Sequence, residues 1–222
     1  MVIAIDGPAG AGKSTVARAV ARELGFTYLD TGAMYRAVGL ASTEDDIAPA
    51  EAAHRIGIEH GDHVLIDDRD VTEAIRTPEV SAAASRVAAD PAVREVLVAK
   101  QQQIMADGDW VAEGRAIATV VAPDAAVKVF LTADANERAR RRVEQRGGDH
   151  HQVRRDQDER DRRDATGART VHEPAPDAVP LDTTGLSLEE VVAQVVTLAA
   201  ECIVAEGERH GRLSPGRRKQ DP

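Results

Sequence analysis

Residues Val2 to Leu24 read VIAIDGPAGAGKSTVARAVAREL, and the order of features along this stretch decides the fold. Val2 to Asp6 is a short apolar run, and Gly7 to Thr15, GPAGAGKST, carries the spacing GxxxxGK[ST]. From Lys13 onward Val16, Ala17, Val20, Ala21 and Leu24 recur at helical intervals. A strand, a glycine loop and a helix in that order make a phosphate cradle. The loop turns successive backbone N–H groups inward, and the helix N-terminus adds partial positive charge. On this reading Gly7, Pro8, Ala9, Gly10, Ala11 and Gly12 form the cradle and Lys13 brings a point charge to the outer phosphates. Ser14 offers its hydroxyl to Mg²⁺, and Thr15 is a second contact on the same turn.

Outward from this stretch the same alternation repeats. Gly25 stands where a helix C′ residue is expected, and Phe26 to Leu29 reads as a second short strand. Apolar runs at Trp110 to Ala112, Val127 to Leu131 and Ala178 to Leu181 each lead through a polar residue into a helical pattern. Strands alternating with helices predict an α/β, three-layer fold of the P-loop type, with a five-stranded parallel sheet covered on both faces. At 222 residues the chain is long enough to bury roughly 70% of its unfolded surface. We expect one domain over residues 1–207.

Two stretches fall outside the alternation. Residues 40–109 hold the β-like segment HVLIDDRDVTEAI and an alanine-rich helical pattern from Pro78 to Met105, in which Pro91 starts a new helix. They read as an insert on the substrate side. Residues 137–165 are dense in both charge signs. Two readings stand for them: a pair of solvated helices laced with i,i+4 ion pairs around a Gly147–Gly148 turn, or an arginine-bearing lid. Residues 208–222 are polar, basic and punctuated by Pro and Gly, the composition of a disordered tail.

Composition narrows the function. A net charge of −10 argues against a nucleic-acid partner, and aromatics at 2% provide no stacking platform for single strands. No apolar run approaches the roughly 18 residues of a spanning helix, and Met1 leads into a strand without a basic leader. The expectation is a cytoplasmic protein without a membrane partner. Cys202, the single cysteine, reads as buried filler, and the histidines, the His150–His151 pair included, form no metal-ligand pattern. Asp182-Thr183-Thr184-Gly185 spells the DxxG of a GTPase, but no NKxD follows; a strand end turning into a helix capped near Ser187 explains it.

After the second strand comes Asp30-Thr31-Gly32-Ala33-Met34-Tyr35-Arg36. Here the chain resembles the bacterial cytidylate kinases, whose signature at this point is D[ST]GAxYR. The resemblance continues through DVTEAIRTPEV, ASRVAADPAVRE, VAEGRAIATVVAPDAAVKVFLTA, ERARRR, ERDRRD and DAVPLDTTGLS, in the family's order over most of the first 190 residues. It implies transfer of the γ-phosphoryl group of ATP to CMP or dCMP, with Mg²⁺, on a P-loop core with a monophosphate-binding insert and a lid. By similarity, Arg36 and Arg115 hold the acceptor phosphate, a task suited to the planar guanidinium fork. Asp30 and Thr31 sit beside the acceptor, Arg160 and Asp164 match lid positions, and Ser85 and Arg94 match base-contacting ones. Arg76 joins the substrate side. Arg138 and Arg142 belong to the donor side, although the run Arg140-Arg141-Arg142 leaves the choice within it open. Glu113, at a strand end, either acts on Mg²⁺, orients arginines or is an ordinary carboxylate. Many such kinases work as monomers.

The chain also departs from the family. Where the family reads GRDxGT it has Gly114-Arg115-Ala116-Ile117-Ala118-Thr119, so Ala116 replaces an aspartate that helps read cytosine. An arginine expected after the lid aspartate falls on Gly167, with Arg169 nearby, and the proline-leucine pair that follows is replaced by Val171-His172. Two alternatives therefore stay open: another small-molecule P-loop kinase, for example one acting on shikimate or gluconate, and a nucleotide-binding module with impaired catalysis.

Overall fold

The computed structural model describes residues 1–59, 63–165 and 173–211, with the side chains at 58, 59, 146, 160, 163–165 and 206–211 outside the description. Five strands, β1 (Val2–Asp6), β2 (Thr27–Asp30), β6 (Trp110–Glu113), β7 (Val127–Thr132) and β8 (Val179–Asp182), form one sheet in the order β2-β6-β1-β7-β8. Every pairing in it is parallel. The expected core strands are all present, each within a residue or two of its predicted limits.

Alternation along these strands explains the layers. Ile3 and Ile5 of β1 and Val111 of β6 point to one face, where they pack with Val16, Val20, Val191 and Val195 of the helices α1 (Lys13–Leu24) and α8 (Leu188–Gly211). Ala4, Leu29 and Ala112 point to the other face, against Ile117, Val121 and Met105. Ile3, Ile5 and Leu131 are fully buried, each contributing about 1.5–3 kcal/mol relative to exposure. α1 ends as predicted on Gly25, whose left-handed conformation lets its N–H close onto Ala21 O. α8 runs through Gly211, four residues into the stretch expected as a tail. Residues 212–222 of the expected tail lie outside the described residues. Cys202 is half-buried rather than buried, packed at the edge of the α1–α8 cluster with its Sγ donating to Ala126 O at 3.3 Å.

Between β2 and β6 the chain builds a second apolar cluster. α2 (Thr31–Glu44) runs across residue 40 and is followed by α3 (Pro49–His54) and an antiparallel sheet of β3 (Ile56–Glu59), β4 (His63–Ile66) and β5 (Arg69–Asp70). Then come α4 (Pro78–Val87) and α5 (Pro91–Ile104). Proline opens each of these two helices, and the preceding residue caps it: Thr77 accepts from Val80 N and Asp90 from Ala92 N. Met34, Val38, Ile56, Ile66, Ile75 and Leu97 fill the cluster. The remaining helices, α6 (Ala135–Arg146) and α7 (His150–Ala165), pack on one another on either side of Gly147 and Gly148, both at positive φ.

Candidate active site

The C-terminal ends of the strands gather the chemistry, as expected for an open parallel sheet. β1 stops at Asp6 and the chain turns through Gly7 at φ 147. A Cβ at Gly7 would lie 2.1 Å from Leu131 O of the neighbouring strand, so only glycine lets the loop leave here. The Ala11 N–H closes on Pro8 O at 3.4 Å, and the Lys13 ammonium donates to the same carbonyl at 2.9 Å. Gly12, in left-handed conformation, begins α1 without a side-chain cap, which leaves the first-turn N–H groups to a ligand.

Asp6 carries no motif that marks it in the sequence, yet it organises the site. Its two carboxylate oxygens accept from Ile117 N and Ala118 N, both at 2.8 Å. This ties the start of the loop to the segment carrying Arg115 and Ala116. Burial pushes the Asp6 carboxyl above the usual range, opposed by those two backbone donors and by Lys13 and Arg115.

Glu113, at the end of β6, is buried and stands in register with Asp30. Its carboxylate accepts from Tyr28 OH at 2.9 Å and from the Ser14 hydroxyl, and its backbone carbonyl accepts from Thr31 Oγ1 at 2.7 Å. Desolvation first, and the Asp30 charge second, push this carboxyl up, while Lys13 pulls it down. Asp30 caps α2 by accepting from Ala33 N at 2.9 Å and pairs with Arg36 at 2.8 Å.

Beside the loop opens a cavity lined by Thr31 and Tyr35 of α2, Ser85 of α4, Arg94 of α5, and Arg115 and Ala116 after β6. Four residues expected from the sequence, Thr31, Ser85, Arg94 and Arg115, thus meet from four separate segments. The Ser85 Oγ is buried with no hydrogen-bond partner among the described residues, a donor and acceptor that a ligand can satisfy. Arg76 does not join them. It ends a short 3₁₀ turn whose buried residue is Ile75, so its side chain faces outward, 54% exposed, 3.5 Å from Glu73. Arg160 and Asp164 lie on α7, but their side chains are outside the described residues, as are Gly167, Arg169, Val171 and His172.

On the other side of the loop, Arg138 of α6 donates to Ala9 O at 2.9 Å and to Asp161 of α7 at 2.6 Å. Arg141 donates to Thr183 O at 2.7 Å, and its guanidinium lies 3.7 Å from where a Cβ at Gly12 would stand. Arg142 is half-buried on the same helix. Packing therefore brings Arg138 and Arg141 to the loop, a choice that helical spacing alone leaves open. The same helices carry exposed i,i+4 ion pairs, Arg140–Glu144 and Arg154–Asp158, so the solvated-helix reading describes their outer faces. Asp182 to Gly185 is a strand end, followed by a reciprocal cap between Ser187 and Glu190 at the start of α8.

Comparison with known proteins agrees with this arrangement. The cytidylate kinase family matches residues 3–201. A cytidylate kinase of Desulfitobacterium hafniense is 51% identical over 211 residues, covering 88% of this chain and 91% of the relative. One from Carboxydothermus hydrogenoformans is 48% identical, covering 89% and 96%. Among solved structures, a gluconokinase from Sinorhizobium meliloti superimposes with a TM-score of 0.52 at 17% identity, covering 93% of this chain and 96% of that one. That likeness concerns the fold alone. Sequence identity of this extent, together with a phosphate loop facing a cavity of arginines, makes the chain a member of the cytidylate kinase family.

Proposed function

We propose that this chain transfers the γ-phosphoryl group of ATP to CMP or dCMP, giving ADP and CDP or dCDP. The observation that carries the proposal is the cavity of Thr31, Ser85, Arg94 and Arg115 opening beside the Gly7–Ser14 loop in a member of this family. Phosphoryl transfer requires two anions held in line with their repulsion cancelled, and little covalent help. Loop N–H groups and Lys13 hold the donor's outer phosphates, with Arg138 and Arg141 across from them. Arg115 and Arg36 take the acceptor phosphate, and Arg36 arrives with Asp30 as its counter-charge. Ser85 and Arg94 face the base, and the family pattern assigns Arg160 and Asp164 to the acceptor as well.

The oxygen-rich set of Ser14, Glu113 and Asp30 suits a hard cation such as Mg²⁺. Bound there, the ion would neutralise charge on the phosphates. Ala116 presents a methyl group to the cavity. A lost hydrogen bond to a charged group is worth about 1.5–3 kcal/mol, so base selection is weakened at this position and at Gly167. No helix among the described residues is long and apolar enough to cross a membrane, and all the parts named lie in one chain. We take the protein to act in the cytoplasm as a monomer.

Phosphorus NMR of the chain with ATP, Mg²⁺ and CMP tests the reading. CDP and ADP should appear in equal amounts; inorganic phosphate without CDP would identify a module that hydrolyses but does not transfer.

A further inference from the structure

Two like-charged side chains from opposite sides of the site converge on one carboxylate. Arg115 follows β6 and lines the acceptor cavity, while Arg138 comes from α6 and reaches Ala9 O of the phosphate loop. Asp161 of α7 stands between them: Oδ2 lies 2.6 Å from Arg138 Nη1 and Oδ1 lies 3.9 Å from Arg115 Nη1. The three side chains are only 10%, 20% and 15% exposed, in the order Arg138, Arg115, Asp161. In such surroundings a charge pair is far less screened than at the surface.

The placement of Asp161 is structural rather than incidental. Gln157, four residues earlier on the same face of α7, is buried and its Nε2 donates to Arg138 O at 3.3 Å. The same Nε2 lies 2.7 Å from where a Cβ at Gly10 would stand. α7 is therefore seated on the loop, and its next turn delivers a carboxylate to the arginines.

We infer that Asp161 is a positioning residue that holds the donor-side Arg138 and the acceptor-side Arg115 together and competes with the phosphate chain for them. A carboxylate presents the same kind of oxygen acceptor to a guanidinium as a phosphate does. Phosphate oxygens approaching Arg138 must then either displace Asp161 or bind beside a like charge, and both lower affinity. The carboxylate thus tunes how tightly phosphates are held.

This rests on the donor-side reading of α6 and α7 but not on the identity of the acceptor, so the probe is inorganic tripolyphosphate, which carries no base. Calorimetric titration of the full chain should show Asp161→Asn binding tripolyphosphate at least about 5-fold more tightly than the wild type, the lower edge of typical couplings between sites. Asp161→Glu, which restores the charge, should return to wild-type affinity. A role confined to anchoring α7 predicts the opposite, and equal or weaker binding by the asparagine variant overturns the inference. Should that variant lose its cooperative melt, the wild type answers instead: the Asp161 carboxyl carbon must shift in NMR as tripolyphosphate is added, and an unmoved signal overturns the inference. Failure to phosphorylate CMP would defeat the functional proposal and leave this result standing.

Discussion

The phosphate loop and the acceptor cavity face each other across the ends of β1 and β6, yet they are built in opposite ways. The loop is one contiguous segment, Gly7 to Ser14, and its binding groups are mainly backbone N–H donors shaped by glycine. The cavity draws single side chains from α2, α4, α5 and the segment after β6, none of which touches a ligand by backbone geometry alone. A backbone-built site tolerates almost no change at its glycines. A side-chain-built site loses one contact at a time, and its selectivity can drift while the phosphate chemistry stays intact.

The contrast is broken most severely at Gly7. Gly7→Ala places a methyl 2.1 Å from Leu131 O at a positive φ, and the backbone penalty plus overpacking comes to about 4 kcal/mol. Chemical denaturation should show that loss, with turnover abolished. On the cavity side, Arg115→Ala should lower kcat/KM for the acceptor by about 10²–10³-fold, the scale of one donor removed from transferring charge. The affinity for an ATP analogue, measured by titration without acceptor, should change far less.

Selectivity sharpens the contrast further. Ala116→Asp should raise the ratio of kcat/KM for CMP over UMP by about 10- to 100-fold, read from steady-state kinetics with both acceptors. A smaller effect is expected at Gly39, where a Cβ would lie 3.0 Å from Ala83 Cβ and Ala84 N. That contact sets the separation of α2 and α4, two walls of the cavity. Gly39→Ala should raise the acceptor KM several-fold and leave the KM for ATP unchanged.

The smallest effect concerns stability. The Glu113 carboxyl is raised above its ordinary value by burial, so its contribution to stability is present at low pH and is lost as pH rises through the raised value. Glu113→Gln removes that loss. Thermal melts should show the variant matching the wild type near pH 4, below the ordinary carboxyl value, and gaining on it toward pH 8. Asp6, raised in the same direction, keeps part of the slope in both proteins.

The same division explains how much of the fold and of the site is legible in the amino-acid sequence. GPAGAGKST, the core strands and the prolines opening α4 and α5 are local signals, and they read directly. Asp6 is not legible in this way because its partners, the N–H groups of Ile117 and Ala118, lie 111 and 112 residues away. Asp161 is bound to Arg138 across the α6–α7 turn, in a run where many carboxylates look alike. Arg141 and Arg142 sit one helical step apart, and only packing against Thr183 and Gly12 separates them. Arg76 reads as a cavity residue because its neighbours resemble the family, but the burial of Ile75 turns it outward. β3 is hidden because four residues with an internal glycine carry too short an alternation, and its pairing with β4 makes it a strand.

The most direct test is ATP turnover by the full chain with CMP, dCMP, UMP, AMP or no acceptor. Intact phosphate chemistry beside a loosened base site predicts strong stimulation by CMP and dCMP over the acceptor-free rate, with UMP disfavoured by less than the Ala116→Asp variant disfavours it. Turnover that no nucleoside monophosphate stimulates would contradict it.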